Sequence, residues 1–271
     1  MNRMDGKICV VTGATQGLGA AIARRLADAG AEGLVVTGRN LERGSLVARE
    51  IAEEHGIWAH FVQADFAKVE DCRHVIAETD RLFGRIDVLV NAGASTARGT
   101  ILDTTPETFD ALFATNVRGP YFLMQEAIKL MIARGTQGAI CNIGSISALA
   151  GQPFINAYCG SKAALTTLTA NTAFSVMGNR IRVNQLNVGW MASDNERALQ
   201  EAEGGADWEA KAVANLPFGR LVDPKEAARA VNFIVSDDAG LMTGAIVNYD
   251  QSVWGAVPEG MPVPKGPMTL P

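Results

Sequence analysis

Residues 7–19, KICVVTGATQGLG, run an apolar β-branched stretch into a glycine cluster, and LGAAIARRLADAG (18–30) continues at once with helical spacing. Strand, tight turn, helix: this order restricts what can follow. A strand that feeds a crossover helix must pair with a parallel neighbour, and that crossover is right-handed. The remaining chain keeps the alternation. GLVVTG (33–38), HFVQAD (60–65), RIDVLVNAG (85–93), GAICNIGS (138–145), RIRVNQLNVG (180–189) and GAIVNYD (244–250) read as further strands. Helical patterns fill 41–56, 69–84, 106–134, 158–178 and 224–236, and the long third one is predicted to break near Pro120. The pattern predicts an α/β fold, a single doubly wound domain with a parallel sheet of about seven strands and helices on both faces. That domain is read as residues 1–252, with 253–271 as a proline-rich tail.

Composition narrows the function classes. The chain has 271 residues, is 48% hydrophobic and carries a net charge of −5 with acids and bases interspersed. No basic stripe points to nucleic acid and no polybasic run to an anionic membrane. The apolar runs are far shorter than the roughly 20 residues of a membrane span. The opening stretch lacks a signal-peptide layout, because its apolar run is a strand that ends in glycine. Cys9, Cys72, Cys141 and Cys159 show no CxxC spacing, so a reducing cytoplasm is the expected home. Three scattered histidines offer no metal site.

The glycine cluster has the spacing Gly13-x-x-x-Gly17-x-Gly19. Glycines there let the turn tighten and the backbone approach a pyrophosphate on the helix N-terminus. Gly13, Thr15, Gln16, Gly17, Leu18 and Gly19 are therefore candidate dinucleotide-binding residues. A carboxylate about 20 residues on would grip the ribose 2′-hydroxyl of NAD. The second strand instead ends Gly38-Arg39-Asn40, offering space and a guanidinium suited to a phosphate, which argues for NADP over the alternative NAD. Asp65, with Phe66 after the third strand, is placed either to accept from an adenine amino group or to cap the next helix.

Tyr158 and Lys162 lie four apart at the head of an apolar helix, so one turn sets them on the same face. With the glycine loop, this pair makes the chain resemble the short-chain dehydrogenase/reductase family over residues 5–252. The family's serine matches Ser145 in NIGS and its helix-borne asparagine matches Asn116 in TNVRG. The segment after the fourth strand, Asn91-Ala92-Gly93, matches its cofactor-side loop, although the usual Asn-Asn-Ala-Gly is altered here. Gly189, Met191 and Ser193 match the turn beside the nicotinamide, with Val188 in place of the customary proline.

The resemblance implies a Rossmann-type fold and interconversion of a secondary alcohol and a carbonyl. Tyr158 would exchange a proton with the substrate oxygen, and Ser145 would orient that oxygen. Lys162 would hold the nicotinamide ribose and, with the oxidised ring, lower the tyrosine pKa. Asn116 would hold a water linking Lys162 to solvent. The enoyl-reducing branch of the family spaces its Tyr and Lys further apart, so x-x-x argues for carbonyl chemistry.

Residues 191–216 are charged, with Gly204-Gly205 at their middle, and read as a substrate lid. Ser147, Gln152, Asn156 and Trp190 are the expected substrate liners, with Ser95 and Arg98 at the rim. Such a mixture suits a small-molecule alcohol or carbonyl carrying hydroxyls: a sugar, polyol or hydroxy-ketone. The resemblance also implies a homo-oligomer, tetramer or dimer, and Trp254 with the tail is expected to lie across a subunit interface.

Overall fold

The computed structural model describes residues 3–149, 151–214, 216–253 and 268. The strands are β1 (Ile8–Thr12), β2 (Gly33–Gly38), β3 (Trp58–Gln63), β4 (Val88–Asn91), β5 (Ala139–Ser145), β6 (Arg182–Val188) and β7 (Ile246–Tyr249). They form one sheet in the order β3-β2-β1-β4-β5-β6-β7, with every neighbouring pair parallel. This is the seven-stranded doubly wound sheet expected from the alternation. The strand order reverses at β1, whose neighbours are β2 and β4, and a crevice opens beyond their carboxyl ends.

Strand alternation feeds two cores. Cys9, Val11, Leu34 and Val36 face α1 (Gly17–Asp28), α2 (Leu41–His55) and α9 (Pro224–Val235). Val10, Val35, Leu89 and Ile140 face the opposite way, onto α3 (Val69–Phe83), α5 (Gly119–Arg134) and α6 (Asn156–Val176). Helices on both faces explain why the central strands read as continuous apolar runs. Among the described residues no helix is long and apolar enough to cross a membrane.

The break in 106–134 falls just before Pro120, between two helices. α4 (Pro106–Phe113) runs into a π-helical turn at Ala114–Arg118, where the Gly119 N–H reaches back to the Ala114 carbonyl. Pro120 then sits in the first turn of α5. Lacking an N–H, it cannot serve the carbonyl of Asn116 four residues back, so the ladder slips to the wider turn. Asn116 lies within that turn and is buried. Between β6 and α9 come α7 (Asp194–Gly204) and α8 (Trp208–Val213). Met191 pairs with Val222, pinning the near and far ends of this excursion together. The expectation for Trp254 and the tail falls outside the described residues, apart from exposed Val253 and Met268.

α6 is held to the sheet by a charge. Lys162 is only 3% exposed, and its Nζ donates to the Ile143 carbonyl of β5 at 2.8 Å. Burial drives the lysine down from its usual 10.5 to about 8. Below about pH 8 the fold bears the full cost of a buried ammonium; from there to 10.5 the unfolded chain binds more protons, so stability rises with pH. Lys162→Met lacks this dependence. Urea unfolding is expected to find the variant at least as stable as the parent at pH 7, with its advantage shrinking from pH 8 to 10.5. A less stable variant at pH 7, or a gap independent of pH, would contradict the assignment.

Candidate active site

Two loops meet at the switch point closely enough to require glycine. Gly13 has φ +65°, and a Cβ there would lie 2.5 Å from Gly93 Cα. A Cβ on Gly19 would lie 2.3 Å from the Gly13 carbonyl oxygen, so α1 packs directly on the turn before it. Thr12, which motif reading passed over, clamps the second loop: its buried Oγ1 accepts from the backbone N–H of Ala92 and of Gly93, both at 3.0 Å. The Phe66 ring closes the far side, where a Cβ on Gly93 would meet it at 2.4 Å.

A cleft of about 720 Å³ results, lined by the whole glycine-loop set Gly13, Thr15, Gln16, Gly17, Leu18 and Gly19. Arg39, Asp65, Phe66, Ala92, Gly93, Met191 and Ser193 also face it, as the sequence predicted. Gln16 makes no side-chain cap, and a Cβ on Gly17 would meet nothing nearer than Ser193 Cβ at 3.8 Å. A tight backbone cradle that opens onto an uncapped helix N-terminus fits a dinucleotide pyrophosphate. Asp65 does not cap α3, whose N-cap is Lys68; its Oδ1 accepts from Ala67 N at 3.1 Å. Asp65 lines the cleft instead.

The ribose end carries a second cation that inspection of the β2 terminus missed. Asn40 caps α2 by accepting from Arg43 N at 2.8 Å. The Arg43 guanidinium then reaches Gln16 Oε1 at 2.5 Å and lines the cleft beside Arg39 and Asn40. The signal was present as Arg-x-x-x-Arg, one turn of spacing across the start of a helix.

Asn91 does not belong to the cleft. It is 3% exposed and donates sideways to Asn142 Oδ1 at 2.9 Å, within the sheet. The chain continues the line of buried amides: Asn142 donates to Thr169 Oγ1, and Gln185 to Asn187. Gly189 is likewise turned away, with its N–H on the Tyr249 carbonyl at 3.1 Å. Val188, where proline was expected, extends β6 in register with Tyr249.

Ser145, Tyr158, Lys162 and Asn116 converge from three elements. Ser145 ends β5, where its hydroxyl approaches that of Tyr158, and its Oγ accepts from Ser147 N at 3.1 Å. Lys162 Nζ lies 5.7 Å from the Tyr158 ring centroid. Asn116 Nδ2 donates to the Ser95 carbonyl at 2.9 Å and to Ser161 Oγ at 3.0 Å, and its Oδ1 accepts from Ser95 N at 2.8 Å. Both amide protons are thus committed to the protein, and the side chain ties the loop after β4 to α6.

The chain's own groups act in the opposite direction to the lowering expected beside an oxidised nicotinamide. Burial pushes the Tyr158 phenol up to about 12, and the Ser145 hydrogen bond only partly offsets this. Cys159 and Glu196 add to the rise.

The substrate-side residues are less uniform. Ser147 is buried and donates to Gln152 Oε1 at 2.6 Å. Asn156 opens α6 and is exposed. Trp190 packs against buried Trp208, ring centroids 6.0 Å apart, and its Nε1 donates to Glu196 Oε1 at 2.7 Å. Arg98 lies over the Phe154 ring and pairs with Glu203 at 2.8 Å, bridging the loop after β4 to α7. Glu196 and Glu203 had not been singled out from the sequence.

Comparison with known proteins agrees with this geometry. A family model described as enoyl-(acyl carrier protein) reductase matches residues 13–252. An uncharacterized oxidoreductase of Methylorubrum extorquens is 34% identical, covering 93% of this chain and 100% of that protein. A sorbitol dehydrogenase of Cereibacter sphaeroides is 30% identical over 93% of this chain and 99% of its own. The crystal structure of L-sorbose reductase from Gluconobacter frateurii, complexed with NADPH and L-sorbose, superposes with a TM-score of 0.88 at 28% identity, covering 95% of this chain and 100% of that one. The protein belongs to the short-chain dehydrogenase/reductase family, nicotinamide-dependent oxidoreductases that act on CH–OH groups.

Proposed function

We propose that this chain is an NADP-preferring oxidoreductase that interconverts a secondary alcohol and a carbonyl on a hydroxylated substrate: a sugar, polyol or hydroxy-ketone. The observation that carries the reading is the meeting of Ser145, Tyr158 and Lys162 beside a glycine cleft whose ribose end presents Arg39 and Arg43. Two guanidiniums lining one end of the cleft, where β2 ends in Gly38 and not in a carboxylate, suit a 2′-phosphate. The NADPH-bound L-sorbose reductase and the sorbitol dehydrogenase support the same direction.

When bound, the nicotinamide donates or accepts the hydride. Tyr158 passes the proton to or from the substrate oxygen, and the Ser145 hydroxyl holds that oxygen in line. Lys162 supplies positive charge behind the phenol. Its own bond to Ile143 fixes the ammonium, so the turn of helix between the two residues sets their spacing. Asn116 acts through position, tying Ser95 of the loop after β4 to Ser161 of α6. α7 and α8 serve as the lid, held at its tip by Arg98–Glu203. The family model's description names enoyl reduction; the one-turn spacing of Tyr158 and Lys162 favours carbonyl chemistry instead.

Residues 1–252 act as one catalytic domain. The chain works as a homo-oligomer, a tetramer or dimer, and the half-exposed rings of Phe109 and Tyr121 with the 76% exposed Phe174 supply apolar helix faces for such contacts. Four free cysteines suit a reducing cytoplasm.

A panel of sugars, polyols and ketones, followed by nicotinamide absorbance with both cofactors, tests the reading. Tyr158→Phe keeps the ring and removes the proton donor, so turnover is expected to fall about 10²–10⁴-fold while cofactor still binds. Turnover near the parent rate would refute the mechanism. NADP is expected to show the higher kcat/KM, and Arg39→Ala and Arg43→Ala each to erode that preference. A charged hydrogen bond is worth about 1.5–3 kcal/mol, roughly tenfold or more per residue. A parent enzyme that favours NAD would overturn the cofactor assignment.

A further inference from the structure

The first turn of α7 contains a carboxylate that its local motif does not use. Ser193 caps the helix, its Oγ accepting from Glu196 N at 3.3 Å. In such a Ser-x-x-Glu box the glutamate ordinarily folds back to the capping residue's own N–H. Here the Ser193 N–H is taken by the Met191 carbonyl at 2.9 Å. The Glu196 side chain turns the other way, toward the end of β6. Its Oε1 accepts from Trp190 Nε1 at 2.7 Å and from Gln200 Nε2 at 2.8 Å. Both bonds fall on one oxygen, and Oε2 has no hydrogen bond to another described residue.

The surrounding charges leave this carboxylate uncompensated. Arg98 is paired with Glu203, and Arg197 with Glu209. Lys162 is buried against the Ile143 carbonyl. Among the described residues, no cation forms an ion pair with Glu196. Its charge is nevertheless felt at the Tyr158 hydroxyl, whose ionisation it opposes. The half-buried carboxylate is therefore held in the first turn of α7, whose Ser193 and Asp194 line the cleft, with one lone-pair edge open.

We propose that Glu196 is a specificity-determining residue of the substrate site: it accepts a hydrogen bond from a hydroxyl of an uncharged, polyhydroxylated substrate and disfavours substrates that carry an anion at that end. The inference rests on the hydroxylated-substrate reading above and narrows it. An anion would meet an unpaired carboxylate, whereas a neutral polyol would satisfy the free oxygen. Trp190 and Gln200 act as positioning residues that aim the carboxylate.

Matched pairs test this directly. Sorbitol and galactitol are compared with gluconate and galactonate, which share their carbon skeletons but carry a carboxylate. The parent is expected to oxidise the neutral members preferentially. Glu196→Gln, which keeps an acceptor for Trp190, should raise KM for the polyol and lower it for the aldonate. The ratio of the two kcat/KM values should then shift tenfold or more. Glu196→Ala should shift it the same way. NADPH affinity, read by nicotinamide fluorescence, reports that the variants remain folded. A purely structural role would weaken both substrates alike and leave the ratio unchanged; that result in an enzyme active on polyols overturns the inference alone. A parent without activity on any neutral polyol or ketose overturns the hydroxylated-substrate reading and the inference with it.

Discussion

A lysine ammonium buried against a backbone carbonyl ties the catalytic helix to the sheet. Lys162 Nζ donates to Ile143 O, two residues before Ser145 on the same strand. That bond fixes the depth of α6, and one helical turn then delivers Tyr158 to the Ser145 hydroxyl. Such a charge is costly to bury and contributes no apolar packing. At 3% exposure the fold bears that cost and keeps a cation 5.7 Å from the centroid of the Tyr158 ring. The phenol itself is raised by burial, so lysine and tyrosine are both displaced toward neutrality. The site is therefore strongly responsive to any additional positive charge brought beside it.

The cofactor side is organised by close approach rather than by charge. Gly13 and Gly93 meet backbone to backbone, and Thr12 holds the meeting point through a single hydroxyl that serves two amides. The π turn around Asn116 does comparable work on the other side, linking Ser95 to Ser161. Charge enters at two places: Arg39 and Arg43 line one end of the cleft, and Glu196 stands in the first turn of α7. This polarity would account for both proposed preferences with few residues.

Most of the fold was legible because it depends on local signals. Short apolar runs alternating with helical patterns gave all seven strands, and the Gly13-x-x-x-Gly17-x-Gly19 spacing marked the switch point. What stayed hidden depends on tertiary placement. Pro120 was visible, but the ladder slip it causes lies upstream, at 114–118. Arg43 was visible, but its direction follows from the Asn40 cap and the bond to Gln16. The Tyr158–Lys162 spacing revealed a neighbouring charge, not the burial that raises the phenol. Asn91 looked like a cofactor contact because it precedes the loop, yet strand alternation turns it into the sheet toward Asn142. The Ser193-x-x-Glu196 motif was in plain sight, but only the structure reveals that its carboxylate serves Trp190 instead of the cap.

On this reading Tyr158 is a suppressed acid in the chain alone and becomes usable only with the positive charge of an oxidised nicotinamide. Ultraviolet difference titration reads it directly, with Tyr158→Phe subtracted to remove Tyr121 and Tyr249. The account expects no phenolate from Tyr158 up to pH 10 in the protein alone, consistent with a phenol pushed up to about 12. With saturating NADP⁺ the phenolate should appear well below pH 10, and with NADPH it should not. Phenolate from Tyr158 below pH 10 without cofactor, or a titration that NADP⁺ leaves unmoved, would contradict the account.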